Sequence, residues 1–138
     1  MTDIELAKNA LSGHSIALCR NGEVITDDGR GISPMMKFIA EGRELSGYSA
    51  ADVIVGKAAA MLFVKAGIVC VHAKTLSEAG KEFLEAHDIP CTYDSLTERI
   101  IDSSGTDICP MEKTVADIWD PETGYEALER RIAEMRSK

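Results

Sequence analysis

The chain has 138 residues and a formal net charge of −8 at pH 7, and 45% of its residues are hydrophobic while 28% are charged. This composition predicts one globular domain over residues 1–138 and excludes a disordered chain. The negative charge disfavours duplex nucleic acid and anionic membranes as partners. A small anionic ligand stays compatible with it, because helix termini and single lysines act locally.

The cysteine and apolar patterns predict a cytoplasmic protein. The four cysteines lie singly with no CxxC pair, which is typical of reduced thiols. We expect no signal peptide, because the first residues have the pattern of a capped amphipathic helix. We also expect no membrane span, because glycines and lysines interrupt the longest apolar stretch, residues 53–71.

The first third of the chain predicts a helix, a β-hairpin and a second helix. Thr2 and Glu5 form a capping box, and Gly13 is placed to end the helix that it opens. Two short β-runs, residues 14–20 and 23–27, flank an Asn-Gly dipeptide that is typical of a type I′ turn. After a glycine-bearing loop, Ser33 can cap a helix that has Pro34 in its first turn and continues to about residue 41.

The stretch from residue 49 to residue 67 has two interpretations. Ser49 and Asp52 could cap one mostly buried helix that continues to Gly67. The β-branched run 53–55 could instead be a strand that leads into a helix starting near Lys57. The sequence alone leaves this boundary open.

The second half predicts a β-α-β unit followed by terminal helices. Residues 68–73 and 89–93 are predicted strands, and Thr75 with Glu78 caps the helix between them. A right-handed crossover makes the two strands parallel. Residues 99–101 fit an edge strand or a helical turn, and the last two helices are expected over residues 109–119 and 125–136.

These elements predict an α/β protein, a three-layer α/β/α sandwich around a mixed sheet of four or five strands. Their order resembles that of the cytidine deaminase fold. Three stretches also resemble a small family of uncharacterised bacterial and archaeal proteins placed in that superfamily: residues 29–34 (GRGISP), 55–60 (VGKAAA) and 105–112 (GTDICPME). The resemblance covers nearly the whole chain and implies a cytidine deaminase-like domain whose function is unknown.

Zinc deaminases hold their metal with an H-x-E motif and a P-C-x-x-C motif. The resemblance places the first motif at Gly56-Lys57-Ala58, which has neither a ligand nor a carboxylate, and the second at residues 75–78, which have no thiolate. Residues 72–74 and 90–94 imitate the two motifs, but Lys74 replaces the general acid/base Glu and Asp94 replaces the second cysteine. We therefore expect no metal site, no cofactor and no zinc-dependent deamination. Cys70 and His72 share a strand face and are interpreted as packing residues.

Lys57, between Gly56 and a run of three alanines, is the first candidate ligand-binding residue. Small neighbours let a ligand come close, and the ammonium can meet a phosphate. The alternative is that the alanines serve tight helix packing while Lys57 extends to solvent. Arg30, Thr106 and Asp107 are further candidates for ligand contacts, and a solvated turn or helix capping would also explain them.

Cys109 is the candidate nucleophile, because a helix N-terminus can lower the pKa of a thiol. Glu112 would orient the reacting groups, or it would simply cap the backbone beside a buried cysteine. None of the three histidines is an obvious base for Cys109. Trp119 is expected in the core or in an interface and not as a stacking platform.

The sequence favours a zinc-free protein that binds a small nucleotide-like or nucleoside-derived ligand through Lys57, Arg30 and residues 106–112. One alternative is a thiol-dependent enzyme with Cys109 as nucleophile. Another is a regulatory or assembly module that forms a homo-oligomer through its sheet edge or its helices.

Overall fold

The computed structural model describes residues 1–101 and 108–136. Over these residues the elements follow one another as α1 (Asp3–Ala10), β1 (Ile16–Arg20), β2 (Glu23–Asp27), α2 (Ser33–Ala40), β3 (Ser49–Val55), α3 (Lys57–Ala66), β4 (Cys70–Ser77), α4 (Glu78–Ala86), β5 (Cys91–Thr97), α5 (Pro110–Val115) and α6 (Pro121–Arg136).

The strands form one mixed sheet of five strands in the order β2-β1-β3-β4-β5. β1 is antiparallel to β2 and to β3, whereas β3, β4 and β5 are parallel to one another. Asn21 and Gly22 join β1 to β2, and both have the positive φ angles that a type I′ turn requires. The parallel arrangement predicted for the β-α-β unit is confirmed, and α3 and α4 begin at the carboxyl ends of β3 and β4.

Helices cover both faces of the sheet, but unequally. The larger core lies between the sheet and helices α2 to α6, and Phe63, Phe83 and Leu128 are fully buried in it. The opposite face has a small core in which Ala7 and Leu11, at α1 and its C-terminal cap, pack against β1 and β3. The described part of the chain is therefore a layered α/β structure.

The boundary near residue 56 follows the strand interpretation. Residues 53–55 belong to β3, and Gly56 is the N-cap of α3. The prediction of a single helix that begins at Ser49 and Asp52 is therefore wrong. Both of these residues lie inside β3, which pairs with β1 on one side and with β4 on the other. The two ladders satisfy the backbone of this segment, and they override its weak local preference for helix.

Three other boundaries differ from the prediction. β4 continues to Ser77, so Thr75 pairs with its neighbours in the sheet and the Ser77 hydroxyl caps α4 by accepting from the Gly80 amide at 2.9 Å. β5 begins at Cys91 and continues to Thr97. Ile32, and not Ser33, is the N-cap of α2, because the Ser33 hydroxyl donates to the Arg30 carbonyl oxygen.

The bounds of the terminal helices also differ from the prediction. α1 ends at Ala10, well before Gly13. α5 ends at Val115, and α6 already begins at Pro121, where the Asp120 carboxylate accepts from the Thr123 amide at 2.9 Å. Among the described residues, no helix is long and apolar enough to span a bilayer.

Candidate functional site

A cavity of about 320 Å³ lies where the parallel strands end and α3 and α4 begin. Its volume is at the lower end of the range for small-molecule sites. We call it the α3–α5 cavity, and its lining comes from α3, from α4, from the segment after β5 and from α5 with its C-terminal turn: Lys57, Ser77, Ala79, Glu82, Glu98, Arg99, Ile100, Ile108, Glu112, Ala116 and Trp119. A second cavity, of about 350 Å³, lies beside residues 42–46 and the end of α3, and its described lining includes none of the predicted site residues.

Glu112 places its carboxylate on the N-terminus of α3. Its Oε1 accepts from the Lys57 amide at 2.8 Å, and its Oε2 accepts from the Ala58 amide at 2.9 Å. The N-cap of α3 is a glycine, which has no side chain to satisfy these amides, and Glu112, 55 positions after Lys57, supplies the cap. The interpretation in which Glu112 caps the backbone beside Cys109 is therefore wrong: the Cys109 amide donates to the Ile100 carbonyl oxygen, and the carboxylate caps the longer helix α3 instead.

Gly56 makes room for this carboxylate. A Cβ atom on Gly56 would lie 2.8 Å from Glu112 Oε2 and nearer still to Oε1. A Cβ atom on Gly80 would lie 3.0 Å from the Gly56 carbonyl carbon, so α4 also approaches closely here. The glycine that was predicted to admit a ligand thus admits a side chain of the protein itself.

Lys57 is buried, with 4% of its surface exposed, so the interpretation in which it extends to solvent is wrong. Its Nζ donates to the Ala116 carbonyl oxygen at 3.0 Å and lies 4.0 Å from the centroid of the Trp119 ring. Burial lowers the pKa of Lys57, and the nearby carboxylates of Asp117, Glu112 and Glu82 oppose this shift. The ammonium is therefore already engaged by the α5 segment.

Trp119 is on the cavity wall with 52% of its surface exposed, so it is not in the core, and its other expected place, an interface, stays a prediction. Its ring stacks against Phe83 with 5.8 Å between centroids. It follows the C-terminal end of α5 in an irregular segment, so no helical face determines its direction. The sequence predicted a helix as far as residue 119 and so placed Trp119 on a helical face, but α5 ends at Val115. Ser77 and Glu82 were also missed, because their approach to Trp119 depends on how α4 packs against the α5 segment.

The other predicted site residues are not gathered in this cavity. Arg30 is exposed in the loop between β2 and α2 and is not among the described lining residues. Thr106 and Asp107 lie outside the described residues. Cys109 is half-buried between Ile108 and α5, and its amide donates to the Ile100 carbonyl oxygen at 3.0 Å.

The three histidines have partners other than Cys109. His14 is bonded to Asp28 at 2.6 Å, His72 to Thr92 at 2.7 Å, and the His87 ring packs on Phe83. Within residues 1–101 and 108–136, no group of three or more His, Cys, Asp or Glu side chains is arranged to hold a metal ion. The thiol-dependent enzyme stays a prediction that these contacts do not test.

Comparison with known proteins identifies the family. The sequence model of one protein family, described as TM1506, a domain of unknown function (DUF1893), matches residues 5–132 of the chain. The chain belongs to the DUF1893 family. The predicted resemblance to a family of unknown function is thereby confirmed.

A solved structure of a DUF1893 family protein, TM1506 from Thermotoga maritima, resembles this DUF1893 protein with a TM-score of 0.83. The match covers 95% of this chain and 91% of the Thermotoga chain at 22% sequence identity, so it shows the fold alone. No curated protein matches the chain.

Proposed function

We propose that this DUF1893 protein is a zinc-free protein of cytidine deaminase-like fold that binds a small nucleotide-like or nucleoside-derived ligand in the α3–α5 cavity. Trp119, half-exposed on the cavity wall, carries the proposal: Phe83 and the Lys57 ammonium already contact its ring, and a base would stack on the part of the ring that these two contacts leave exposed. An aromatic face can stack a nucleobase whatever the base, and such stacking contributes about 1–3 kcal/mol. The carboxylates that line the cavity can accept hydrogen bonds from base and sugar donors.

The positions of the two zinc motifs support the deaminase-like part of the proposal. The resemblance assigns these motifs to the starts of α3 and α4, and both helices begin at the same edge of the sheet. A Cβ on Gly80 would almost touch the Gly56 backbone, so the two helix starts are neighbours. The two motifs of a zinc site, placed at these helix starts, would therefore lie next to each other.

The residues at these two positions support binding without zinc chemistry. The buried ammonium of Lys57 would repel a zinc ion bound nearby. The Ser77 hydroxyl caps α4, and the Glu112 carboxylate is engaged by two amides of α3. Each group thus has a structural partner, and none of them resembles the His and Cys ligands that zinc prefers.

A thermal-shift screen tests the proposal. The purified protein is heated with nucleosides, nucleotides and ADP-ribose-like compounds, and we expect a saturable rise in Tm with one of these classes. Ligand at 100 times its Kd adds about 2.7 kcal/mol to stability, which for this chain length raises Tm by roughly 10 °C.

The matched variants are Trp119→Ala and Tyr93→Ala. Trp119 lines the cavity, whereas Tyr93 is an aromatic residue with 39% of its surface exposed on β5, outside the lining. We expect Trp119→Ala to abolish the shift and Tyr93→Ala to keep it. The proposal is contradicted if no compound stabilises the wild-type protein, or if Trp119→Ala responds like the wild type.

A further inference from the structure

Among the residues that the structure describes, the groups of the α3–α5 cavity that would best attract a phosphate are already used by the protein. Glu112 accepts from the first two amides of α3, and Ser77 caps α4 through the Gly80 amide. The Lys57 ammonium donates to the Ala116 carbonyl oxygen. Free helix amides and a lysine are the usual partners of a bound phosphate, and here an incoming phosphate would have to displace a carboxylate to reach them.

The space directly beside Gly56, at the α3 N-terminus, is also occupied. The Glu112 carboxylate lies so close to Gly56 that even a methyl group on this glycine would collide with it. The carboxylate therefore fills the place that an anion would take at the start of α3.

The remaining charges of the cavity are unfavourable for a phosphate. Glu82 and Glu98 both line it, and the Arg99 guanidinium lies 3.5 Å from the Glu98 carboxylate, which offsets its charge. The whole protein adds a net charge of −8. Like charges raise the cost of bringing a dianion into this site.

We infer that the cavity binds an uncharged nucleoside or nucleobase and rejects the phosphorylated form. This inference rests on the proposed function and names the ligand class of the same site. The base stacks on the part of the Trp119 ring that Phe83 and Lys57 leave exposed, while its amino groups or the sugar hydroxyls donate to Glu82 and Glu98. The Glu112 carboxylate keeps its hydrogen bonds to the first two amides of α3 when the ligand binds. We call it the resident anion of α3, because it occupies the position that a bound phosphate would take.

Isothermal titration calorimetry of the wild-type protein tests the selectivity. The titrants are the four common ribonucleosides, their free bases and their 5′-monophosphates at constant ionic strength. We expect at least one nucleoside or base to bind ten or more times tighter than its monophosphate. A monophosphate that binds equally well or better overturns the inference and leaves the proposed function standing, whereas no binding of any compound refutes both.

Inorganic phosphate provides a second test that needs no nucleoside. We expect sodium phosphate to raise the Tm of a Glu112→Ala variant, compared with sodium chloride of equal ionic strength, because the vacated α3 amides can then bind the anion. Wild-type protein should show only the smaller rise that phosphate, as an excluded salt, gives folded proteins in general. Glu41→Ala is the control, since it removes one negative charge at an exposed position on the C-cap of α2.

Two results of this second test would contradict the assignment of Glu112 as resident anion. One is an equal phosphate effect on wild type and Glu112→Ala, and the other is an equal effect on Glu112→Ala and Glu41→Ala. Should Glu112→Ala fail to fold, Glu112→Gln replaces it, because the amide retains the side-chain volume but can accept from only one of the two backbone amides. A phosphate-dependent rise that is larger in the Gln variant than in wild type is then the expected result, and equal rises overturn the assignment.

Discussion

Asp52 is a carboxyl group buried within the central sheet. It pairs in register with Ile16 of β1 and Ala73 of β4, both of which belong to the larger core. Its Oδ1 accepts from the Val53 amide at 2.8 Å. Burial raises the pKa of Asp52 from 3.8 to about 8, because desolvation outweighs the hydrogen bonds from the backbone.

The raised pKa of Asp52 predicts a loss of stability as pH increases. Between pH 4 and 8 the folded protein holds this proton and the unfolded chain does not, so the free energy of unfolding falls by up to about 1.4 kcal/mol per pH unit. The contribution is fully present below the unfolded pKa and is lost as pH rises through the folded pKa. Urea denaturation of wild type and Asp52→Asn at pH 5, 6, 7 and 8 measures it. The variant should lack this slope, and parallel pH profiles for the two proteins would refute the assignment.

At the scale of elements, two reciprocal contacts dock α5 on α3. The Glu112 carboxylate of α5 meets the N-terminal amides of α3, and the Lys57 ammonium of α3 meets the carbonyl oxygen of Ala116 at the C-cap of α5. Each charge complements the dipole of the helix end that it touches. α5 has only six residues, too few to be stable alone, so its position depends on this docking.

The close approach of α3 and α5 predicts coupling between Gly56 and Glu112. Gly56→Ala should destabilise the protein by about 1–3 kcal/mol, because the added methyl group displaces the carboxylate. The backbone itself accepts alanine, since φ at Gly56 is −106°. In a Glu112→Ala background the same substitution should cost less, because the carboxylate is gone. Urea denaturation of the four proteins in the double-mutant cycle measures this difference, and strictly additive costs would argue against the contact.

The whole molecule depends mainly on one of its two cores. The larger core unites the sheet with α2 to α6, whereas the smaller one is formed by α1 on β1 and β3. Phe63 is fully buried in the larger core, and Leu11 is buried at the end of α1 in the smaller one. A cavity in the larger core has packed neighbours on every side and can relax little.

We therefore expect unequal costs from truncation in the two cores. Phe63→Ala should reduce the free energy of unfolding by about 3–5 kcal/mol, and Leu11→Ala by about 2 kcal/mol. For a domain whose total stability is about 5–15 kcal/mol, only the first change leaves a marginal protein. Chemical denaturation at pH 7 compares the two variants, and a larger loss for Leu11→Ala would show that the α1 layer carries more of the stability than its burial suggests.

Sequence reasoning predicted the features that depend on residues close together in the chain. The Asn21-Gly22 turn and the parallel β-α-β unit both follow from local turn chemistry, periodicity and chain handedness. The family resemblance likewise depends on short motifs such as residues 55–60. These signals lie within a few residues of one another, so the sequence alone was enough to identify them.

Tertiary structure decided the features that join distant parts of the chain. The strand at residues 49–55 needs β1 and β4 beside it, and the Glu112 cap joins residues 55 positions apart. The burial of Lys57 and the exposure of Trp119 follow from where α5 docks. No local pattern contains these partners, because the unsatisfied amides of a glycine-capped helix accept a carboxylate from any segment that the fold brings within reach.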